Sequence, residues 1–338
     1  MIEERESKII YILKAFAIIS VVCAHISVVP DYFSPQSIYV NNILNEIGAI
    51  GVGLFFFLAG YLFAKKNTDG KFSVFMKKKV KTLGIPWVIS ATLVYLYVSL
   101  RKGGSLLGWI LSLIGYMSSY WYLTVLFILY IVFFFIKKQQ KGNIIALLLM
   151  LASIVSAFLR MVGIIESNAL GVYLNVFNWS IFFALGYLNC TKNSVLYKSN
   201  KYVMLILAVA TIGIIFLFPI LEIKKFSYFS YLYIPIEIAI IYISIQIAYV
   251  ISAAKCRILK LLGMLSFSIY LYNELLWAGL IVNLGNKIDF WPLLLIRPIL
   301  VLCAVVGELL VGRKIFTLFN KTELFDSLTG VRLKALHG

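Results

Sequence analysis

Charged residues are scarce in this chain. Only 13% of its 338 residues are charged, whereas 62% are hydrophobic. A soluble domain of ordinary composition is about half apolar and about a quarter charged. So few charges cannot cover the surface of a soluble fold with this much apolar content. The composition therefore excludes an ordinary soluble enzyme and predicts a protein that is embedded in a membrane.

Cysteine and histidine are also rare. The cysteines are scattered, without paired or metal-like spacing, at Cys23, Cys190, Cys256 and Cys303. We therefore predict no disulfide, no metal site and no thiol nucleophile. Only two histidines occur, and His337 is the penultimate residue. If the chemistry needs a group that exchanges a proton near neutral pH, His25 is the only credible candidate.

Apolar runs of membrane-spanning length are abundant by contrast. A spanning helix needs about 20 mostly apolar residues, and ten segments qualify, at about 9–29, 43–64, 83–100, 118–136, 143–163, 172–190, 202–221, 230–252, 261–283 and 290–311. Glycines interrupt the region 103–121, which favours a short outer-surface helix before the fourth span. The links are short, so we expect an all-α bundle of about ten spanning helices with no inserted soluble domain.

The basic residues predict the direction of the chain. When the N-terminus is placed in the cytoplasm, 23 of the 31 Lys and Arg residues lie in cytoplasmic segments, five lie in outer links and three lie within spans. Such a bias predicts that both termini are cytoplasmic. It also explains the net charge of +17 without nucleic acid binding. We divide the chain into a transmembrane domain at 1–312 and a short amphipathic cytoplasmic tail at 313–338.

Polar side chains inside the predicted spans are the candidates for function, because a charge there costs about 3 kcal/mol. They are Lys14, His25, Arg160, Asn175, Asn178, Glu237, Asn273, Glu274, Arg297 and Glu308. Glu274 and Arg297 lie at similar depth in adjacent spans, which favours a structural ion pair. Glu237 has no partner evident in the sequence, so it either lines a cavity or is protonated.

The most informative pair is Lys14 and His25 in the first span. They are eleven residues apart, which places them on one helix face, roughly 16 Å apart along the axis. A cation near the cytoplasm and an imidazole deeper along the same face suit an elongated anionic donor, whose phosphates rest near Lys14. A histidine that only forms a hydrogen bond with a neighbouring helix fits the spacing equally well.

Several motifs resemble those of the acyltransferase-3 family of bacterial membrane O-acyltransferases, in the family's order. The first helix carries a basic residue, ten further residues and a histidine, which here are Lys14 to His25. The second span resembles the family's glycine- and phenylalanine-rich signature, here Gly51-Val-Gly-Leu-Phe-Phe-Phe-Leu-Ala-Gly-Tyr61. The later matches are Lys79-Val-Lys-Thr-Leu-Gly-Ile-Pro86, Trp121-Tyr122-Leu123 and Ser266-Phe-Ser-Ile-Tyr-Leu-Tyr-Asn273. The resemblance covers about residues 8–311.

The resemblance implies transfer of an acyl group, most often acetyl, from acyl-CoA to a hydroxyl of a glycan or lipid-linked sugar. Acyl-CoA is then a co-substrate, with no bound cofactor. The implied setting is the plasma (inner) membrane of a bacterium, with the lipid bilayer, the saccharide acceptor and glycan-assembly proteins as partners. His25 is the implied general base or acyl carrier, and Lys14 and Lys79 are the implied donor-binding residues. The substrate-side candidates are Glu237, Asn273, Glu274 and Arg297.

Four positions depart from the family's pattern. Its arginine is Lys14 here, which keeps the charge and loses the bidentate fork. Its span-two serine is Ala59, its usual polar or acidic position is Gly53, and its late-helix histidine is Asn273. These departures keep a non-catalytic subunit of a surface-polysaccharide assembly system open as an alternative.

A transporter or flippase for a lipid-linked saccharide, and a polysaccharide polymerase, are further alternatives. The transporter usually has broken helices in symmetric halves, and no symmetric halves are evident. The polymerase needs a large outer loop, and the predicted outer links are short.

Overall fold

A computed structural model describes residues 2–66, 70–116, 118–139, 141–166, 168–190, 228–230, 232–254, 256–273, 277–331 and 333, and no strand occurs among them. The helices described in the first half of the chain are α1 (Ile2–Ile26), α2 (Pro35–Gly48), α3 (Ile50–Lys65), α4 (Phe72–Lys79), α5 (Ile85–Lys102), α6 (Leu106–Leu113), α7 (Trp121–Lys137) and α8 (Gly142–Met161). Those that follow are α9 (Ala169–Val172), α10 (Val176–Leu188), α11 (Tyr233–Ile251), α12 (Arg257–Tyr272), α13 (Gly279–Gly285), α14 (Trp291–Leu318) and α15 (Thr322–Thr329). The predicted all-α fold class is confirmed.

Several helical stretches have the length and apolar composition of membrane spans. Among the described residues there are seven, Glu4–Ile26, Pro35–Lys65, Phe72–Leu100, Gly142–Met161, Leu170–Leu188, Tyr233–Ile251 and Trp291–Leu318. A shorter apolar helix, Trp121–Lys137, coincides with the predicted fourth span. The chain is therefore a polytopic membrane protein. The count of ten spans and the cytoplasmic termini stay predictions, and the span predicted at 202–221 lies outside the described residues.

Two of the predicted spans differ from a single straight helix. The predicted second span contains a break at Ala49, between α2 and α3, where the Ser20 hydroxyl donates to Ile47 O at 2.5 Å and accepts from Gly51 N–H at 2.7 Å. In the predicted ninth span, α12 ends at Tyr272, residues 277–278 are π-helical and α13 begins at Gly279, while residues 274–276 lie outside the described part of the chain. The short helix predicted before span four is confirmed as α6, where Ser105 Oγ accepts from Gly108 N–H at 3.0 Å.

The described chain forms two compact units. The first comprises Met1–Lys14, Val52–Phe75 and Trp121–Arg257. Its core is aromatic, and the buried Trp179 ring lies 4.8 Å from the Trp121 ring and 5.4 Å from the Phe56 ring, measured between centroids. Such ring pairs bury large apolar areas and fix side-chain orientation, so they hold α3, α7 and α10 together.

The second unit comprises Ala15–Gly51, Met76–Tyr120 and Ile258–Gly338. In it α14 packs against α2, α13 and α15, and α15 also packs against α5. Asp289, just before α14, accepts hydrogen bonds from the Ser37 hydroxyl at 2.6 Å and the Ser34 N–H at 2.6 Å. These bonds lower the pKa of the Asp289 carboxyl and join the start of α2 to the start of α14.

The end of the chain is helical and packed. Helix α14 continues six residues beyond the predicted domain boundary at 312, to Leu318. The Arg313 guanidinium forms a bidentate ion pair with Asp326 of α15, at 2.8 and 3.2 Å, and Phe325 is buried. The division between a domain at 1–312 and a tail at 313–338 stays a prediction.

Candidate active site

His25 lies in the last turn of α1, and its partner is Asn273. The ring atom Nδ1 lies 2.5 Å from Asn273 Oδ1. Asn273 directly follows α12 and has 0% of its surface exposed, whereas His25 is half-buried. Both residues belong to the second unit. The structure therefore brings together two of the predicted site residues that are 248 positions apart in sequence.

The surroundings of Asn273 decide which ring nitrogen of His25 carries the proton. The Asn273 amide nitrogen Nδ2 donates to the backbone carbonyls of Ile269 and Tyr270, each at 2.9 Å. Carbonyls only accept, so the amide oxygen must face the imidazole. Nδ1 of His25 must then donate to it, and the lone pair of the neutral ring is at Nε2. The pair thus presents Nε2 as the basic atom.

An irregular helix end positions Asn273. The Ala278 N–H donates to Asn273 O at 3.0 Å, across five residues instead of the usual four. Such π-type turns inside helices are frequent at functional sites. The preceding carbonyl, Leu271 O, accepts from the Ser90 hydroxyl at 2.6 Å and lies 3.1 Å from the Tyr120 hydroxyl. Ser90 and Tyr120 are buried, so they anchor the helix end that carries Asn273.

Arg297 lies in α14, in the same unit as His25 and Asn273. It is 1% exposed. Its Nη2 donates to Asn286 Oδ1 at 3.0 Å, and its Nη1 donates to Val28 O at 3.4 Å. Because Val28 is three residues beyond His25, the guanidinium contacts the chain just past the end of α1 that carries the imidazole.

Glu274, the predicted ion-pair partner of Arg297, lies outside the described residues. The predicted pair therefore remains untested. Within the described part of the chain, the hydrogen-bond acceptors of Arg297 are the neutral oxygens of Asn286 and Val28.

Glu237 and Lys14 belong to the first unit. Glu237, in α11, is 0% exposed, and its carboxylate lies against α3 at Gly53, where an added methyl group would overlap it. Lys14 is half-buried, with Nζ 5.9 Å from the centroid of the Tyr11 ring. Their predicted participation in one site with His25 stays a prediction.

Lys79 belongs to the second unit and is the last residue of α4. It is half-buried and immediately precedes a π-helical turn at Val80–Gly84. That turn leads into α5, whose second residue, Pro86, has no backbone N–H to donate. The predicted role of Lys79 in donor binding stays a prediction.

Other polar residues of the predicted spans have structural partners. Asn178 Oδ1 accepts from the Ser156 hydroxyl at 2.9 Å, which links α10 to α8. Arg160 is buried, and its Nη1 donates to Tyr228 O at 3.2 Å. Trp277 Nε1 donates to Glu308 Oε2 at 2.7 Å. These contacts stabilise helix packing, as interhelical hydrogen bonds do in membranes.

The sequence did not single out Ser90, Tyr120 or Asn286. A serine inside an apolar run and an asparagine in a link are too common to mark a site. The π-type turn at Asn273 in the ninth span was also missed, because the run 261–283 is mostly apolar and its other polar residues, such as Ser266, Ser268 and Asn283, stand apart from one another. Its only sequence signal is that adjacent polar pair, at the point where α12 ends.

A family model described as an acyltransferase domain matches residues 8–313. The chain belongs to the acyltransferase-3 family. Neither a curated protein nor a solved structure matches the chain. Because this family consists of acyltransferases and the described helices include several of membrane-spanning length, the protein is a membrane acyltransferase. The matched residues include His25, Asn273 and Arg297.

Two of the departures from the family pattern, at Gly53 and Asn273, can be compared with the structure. Where the family usually carries a polar or acidic residue, this chain has Gly53, and the Glu237 carboxylate occupies the space beside it. Where the family carries a late-helix histidine, this chain has Asn273, which binds His25. The change at Asn273 thus coincides with a hydrogen bond to His25, and the change at Gly53 leaves space that the Glu237 side chain fills.

Proposed function

We propose that the protein transfers an acyl group, in most cases acetyl, from acyl-CoA to a hydroxyl of a cell-surface glycan or lipid-linked sugar. We place it in the plasma membrane of a bacterium. The observation that carries the proposal is the His25–Asn273 pair, in which Nδ1 bonds to the Asn273 oxygen, so that Nε2 is the basic nitrogen of the neutral ring. A histidine held by a second residue in one tautomer is the arrangement that general-base catalysis needs.

In the proposed reaction, His25 Nε2 removes the proton from the acceptor hydroxyl. The hydroxyl oxygen forms a bond to the thioester carbonyl carbon, and the carbon–sulfur bond of acyl-CoA breaks. The CoA thiolate leaves with the bonding electrons and takes the proton back from the imidazolium. The products are the ester and CoA in its thiol form, so no oxidant or further reactant is required.

A covalent route uses the same atom. Nε2 then attacks the thioester carbonyl carbon, the carbon–sulfur bond breaks, and CoA leaves as a thiolate from an acyl-imidazolium. The acceptor hydroxyl attacks the acyl carbon, the carbon–nitrogen bond breaks to restore the neutral imidazole, and the hydroxyl proton passes to the CoA thiolate. In both routes Asn273 supports the ring through Nδ1 and stabilises the positive charge that forms on it.

The residues that we assign to acyl-CoA binding come from the resemblance to the family's motifs. Lys14 and Lys79 would bind the phosphates of acyl-CoA as point charges, because lysine lacks the planar fork of arginine. Glu237, Asn273, Glu274 and Arg297 are assigned to the acceptor side. Proteins of glycan assembly are proposed partners because they would supply the saccharide.

The test is mass spectrometry of the cell-surface glycan from a wild-type strain, a deletion strain and a His25→Ala strain. We expect both mutants to lose one acyl mass per modified sugar. The matched control is His337→Ala, since it removes the only other histidine and should leave acylation unchanged. Normal acylation in the His25→Ala strain would refute the proposed mechanism. Glycan that is missing or retained inside the cell, with unchanged acylation, would instead indicate a transporter or an assembly subunit.

A further inference from the structure

We propose that Arg297 binds a phosphate or carboxylate group of the acyl acceptor, so that the acceptor is anionic. The inference rests on the proposed acyl transfer and specifies the class of its acceptor. It starts from the burial of the guanidinium, which is 1% exposed in a span of the bundle. A charged side chain at such a position is costly and is retained where a site needs it.

The hydrogen-bond partners of Arg297 leave its charge uncompensated within the described part of the chain. Two of its nitrogens donate to the neutral oxygens of Asn286 and Val28. Its Nε is buried and has no acceptor among the described residues. A guanidinium has five N–H donors in a planar fork that matches the oxygens of a phosphate or carboxylate. An anionic group at this position would supply the missing acceptor and the missing charge together.

The surroundings hold the guanidinium in place. A methyl group added at Gly285 would lie 2.7 Å from Nη2 and 2.8 Å from Nε, so a larger residue at this position would displace the end of the Arg297 side chain. Asn286 follows directly and orients Nη2. Asn286 is half-buried, and residues 287–290, which follow it, are exposed.

A second arginine of the same helix has a different kind of hydrogen-bond acceptor from Arg297. Arg313 lies on α14 as well, and its guanidinium pairs with the Asp326 carboxylate at 2.8 and 3.2 Å. The protein thus satisfies Arg313 with its own carboxylate, whereas Arg297 contacts an amide and a backbone carbonyl. The neutral contacts of Arg297 are what a site for an external anion requires.

The position of Arg297 also fits the reaction. The guanidinium donates to Val28 O, three residues beyond His25, and both residues belong to the second unit. An acceptor whose anionic group binds Arg297 would have its neighbouring hydroxyls near the end of α1 that carries His25. Binding at Arg297 would therefore orient the acceptor for attack.

The test measures the thermal unfolding of the purified full-length protein in neutral detergent, with and without inorganic phosphate. We expect phosphate at about one hundred times its Kd to raise Tm by about 5 °C in the wild type. Arg297→Met should abolish the shift, and Arg297→Lys should reduce it because the fork is lost. Asn286→Asp should also abolish it, since the new carboxylate would pair with the guanidinium in place of phosphate. Arg313→Met is the matched control and should retain the full shift.

Two results would overturn the proposal. One is an equal phosphate shift in the wild type and in Arg297→Met. The other is a pairing of Arg297 with Glu274. In that case Arg297→Met and Glu274→Gln would lower Tm by similar amounts, and the double variant would be no less stable than either single variant.

Two further measurements identify the source of the anion and separate this proposal from the proposed function. Vesicles of phosphatidylglycerol and of digalactosyldiacylglycerol, a bilayer lipid whose head group has no phosphate, are compared without added inorganic phosphate. A higher Tm in phosphatidylglycerol that depends on Arg297 would assign the anion to a lipid phosphate, and equal values would assign it to the sugar. Glycan acylation in an Arg297→Met strain should be lost. If the wild type acylates no glycan, the proposed function fails, while the phosphate shift still tests the anion site.

Discussion

At the scale of single residues, the contact between His25 and Asn273 determines which ring nitrogen of His25 carries the proton. Two backbone carbonyls bind the Asn273 amide nitrogen, so its oxygen has to accept from Nδ1 of the ring. The scarcity of histidine was enough to predict His25 from the sequence. The role of Asn273 was not predictable in the same way, because it depends on an irregular helix end that brings two distant positions together.

Replacing Asn273 tests this orientation. In Asn273→Leu the ring loses its acceptor, so both tautomers and several ring orientations become populated. We expect the acyl transfer rate to fall by at least about 100-fold, because a base in the wrong tautomer cannot accept the proton. The measurement is kcat for release of CoA, with circular dichroism as a check on folding. A rate close to that of the wild type would show that Asn273 has no part in positioning His25.

We expect the Asn273→Asp variant to behave differently from Asn273→Leu. The carboxylate still accepts from Nδ1, and its negative charge stabilises the protonated ring. The acidic limb of the pH–rate profile should therefore move to higher pH, while the rate on the alkaline side is retained. Profiles of both proteins over the same pH range would measure the displacement. Superimposable profiles would contradict the proposed contact.

At the scale of helices, glycines determine how closely α3 approaches its neighbours. A methyl group at Gly60 or Gly186 would overlap a backbone carbonyl of the other helix, α10 or α3. At Gly53 the neighbouring group is the Glu237 carboxylate of α11. Which helix each glycine contacts depends on the three-dimensional arrangement and could not be predicted from the sequence.

Gly53→Ala tests the approach of α3 to α11. The added methyl group would push against the Glu237 carboxylate and should lower stability by about 1–3 kcal/mol. Glu237→Ala in the same chain removes the obstacle, so the double variant should be more stable than the sum of the single changes predicts. Thermal unfolding in detergent measures both effects.

The control for this series is Gly307→Ala in α14, where an added methyl group has no neighbour within 4 Å. It should be neutral or slightly stabilising, because alanine favours helix more than glycine. Additive effects of Gly53→Ala and Glu237→Ala would mean that the two positions do not touch.

Helix ends were predicted less well than helix existence. The break at Ala49 and the end of α12 at Tyr272 both fall inside continuous apolar runs, where a pattern of apolar residues alone gives no boundary. In contrast, glycines interrupt the apolar run at 103–121, and the short helix predicted from them is α6, which Ser105 caps. Glycines therefore marked one interruption in the sequence, whereas the irregularities held by the hydroxyls of Ser20 and Ser90, which are distant in sequence, were missed.

At the scale of the whole molecule, composition determined the class of protein. An apolar fraction of 62% with few charges requires a lipid environment, and the backbone then has to be helical or closed into a barrel to satisfy its own hydrogen bonds. The length of the apolar runs, about 20 residues each, predicted helices. The pairing of polar side chains between helices could not be predicted, since it requires the packing of the bundle.

The direction of the chain in the membrane is testable with cysteine labelling. In a protein whose other cysteines are replaced by serine, Cys256 lies in a link that we predict to be cytoplasmic, and Lys287→Cys lies in one predicted to be outside. A maleimide that does not cross membranes should label position 287 in intact cells and position 256 only after permeabilisation. The opposite pattern would reverse the predicted orientation.

The central claim is that His25 carries out acyl transfer. The most direct measurement is incorporation of label from radiolabelled acetyl-CoA into the saccharide fraction of inverted membrane vesicles, which expose their cytoplasmic face to the added donor. We predict that wild-type vesicles incorporate label and that His25→Ala vesicles, with the same amount of folded protein, incorporate it at least about 100-fold more slowly. Incorporation by His25→Ala within twofold of the wild-type rate would contradict the claim.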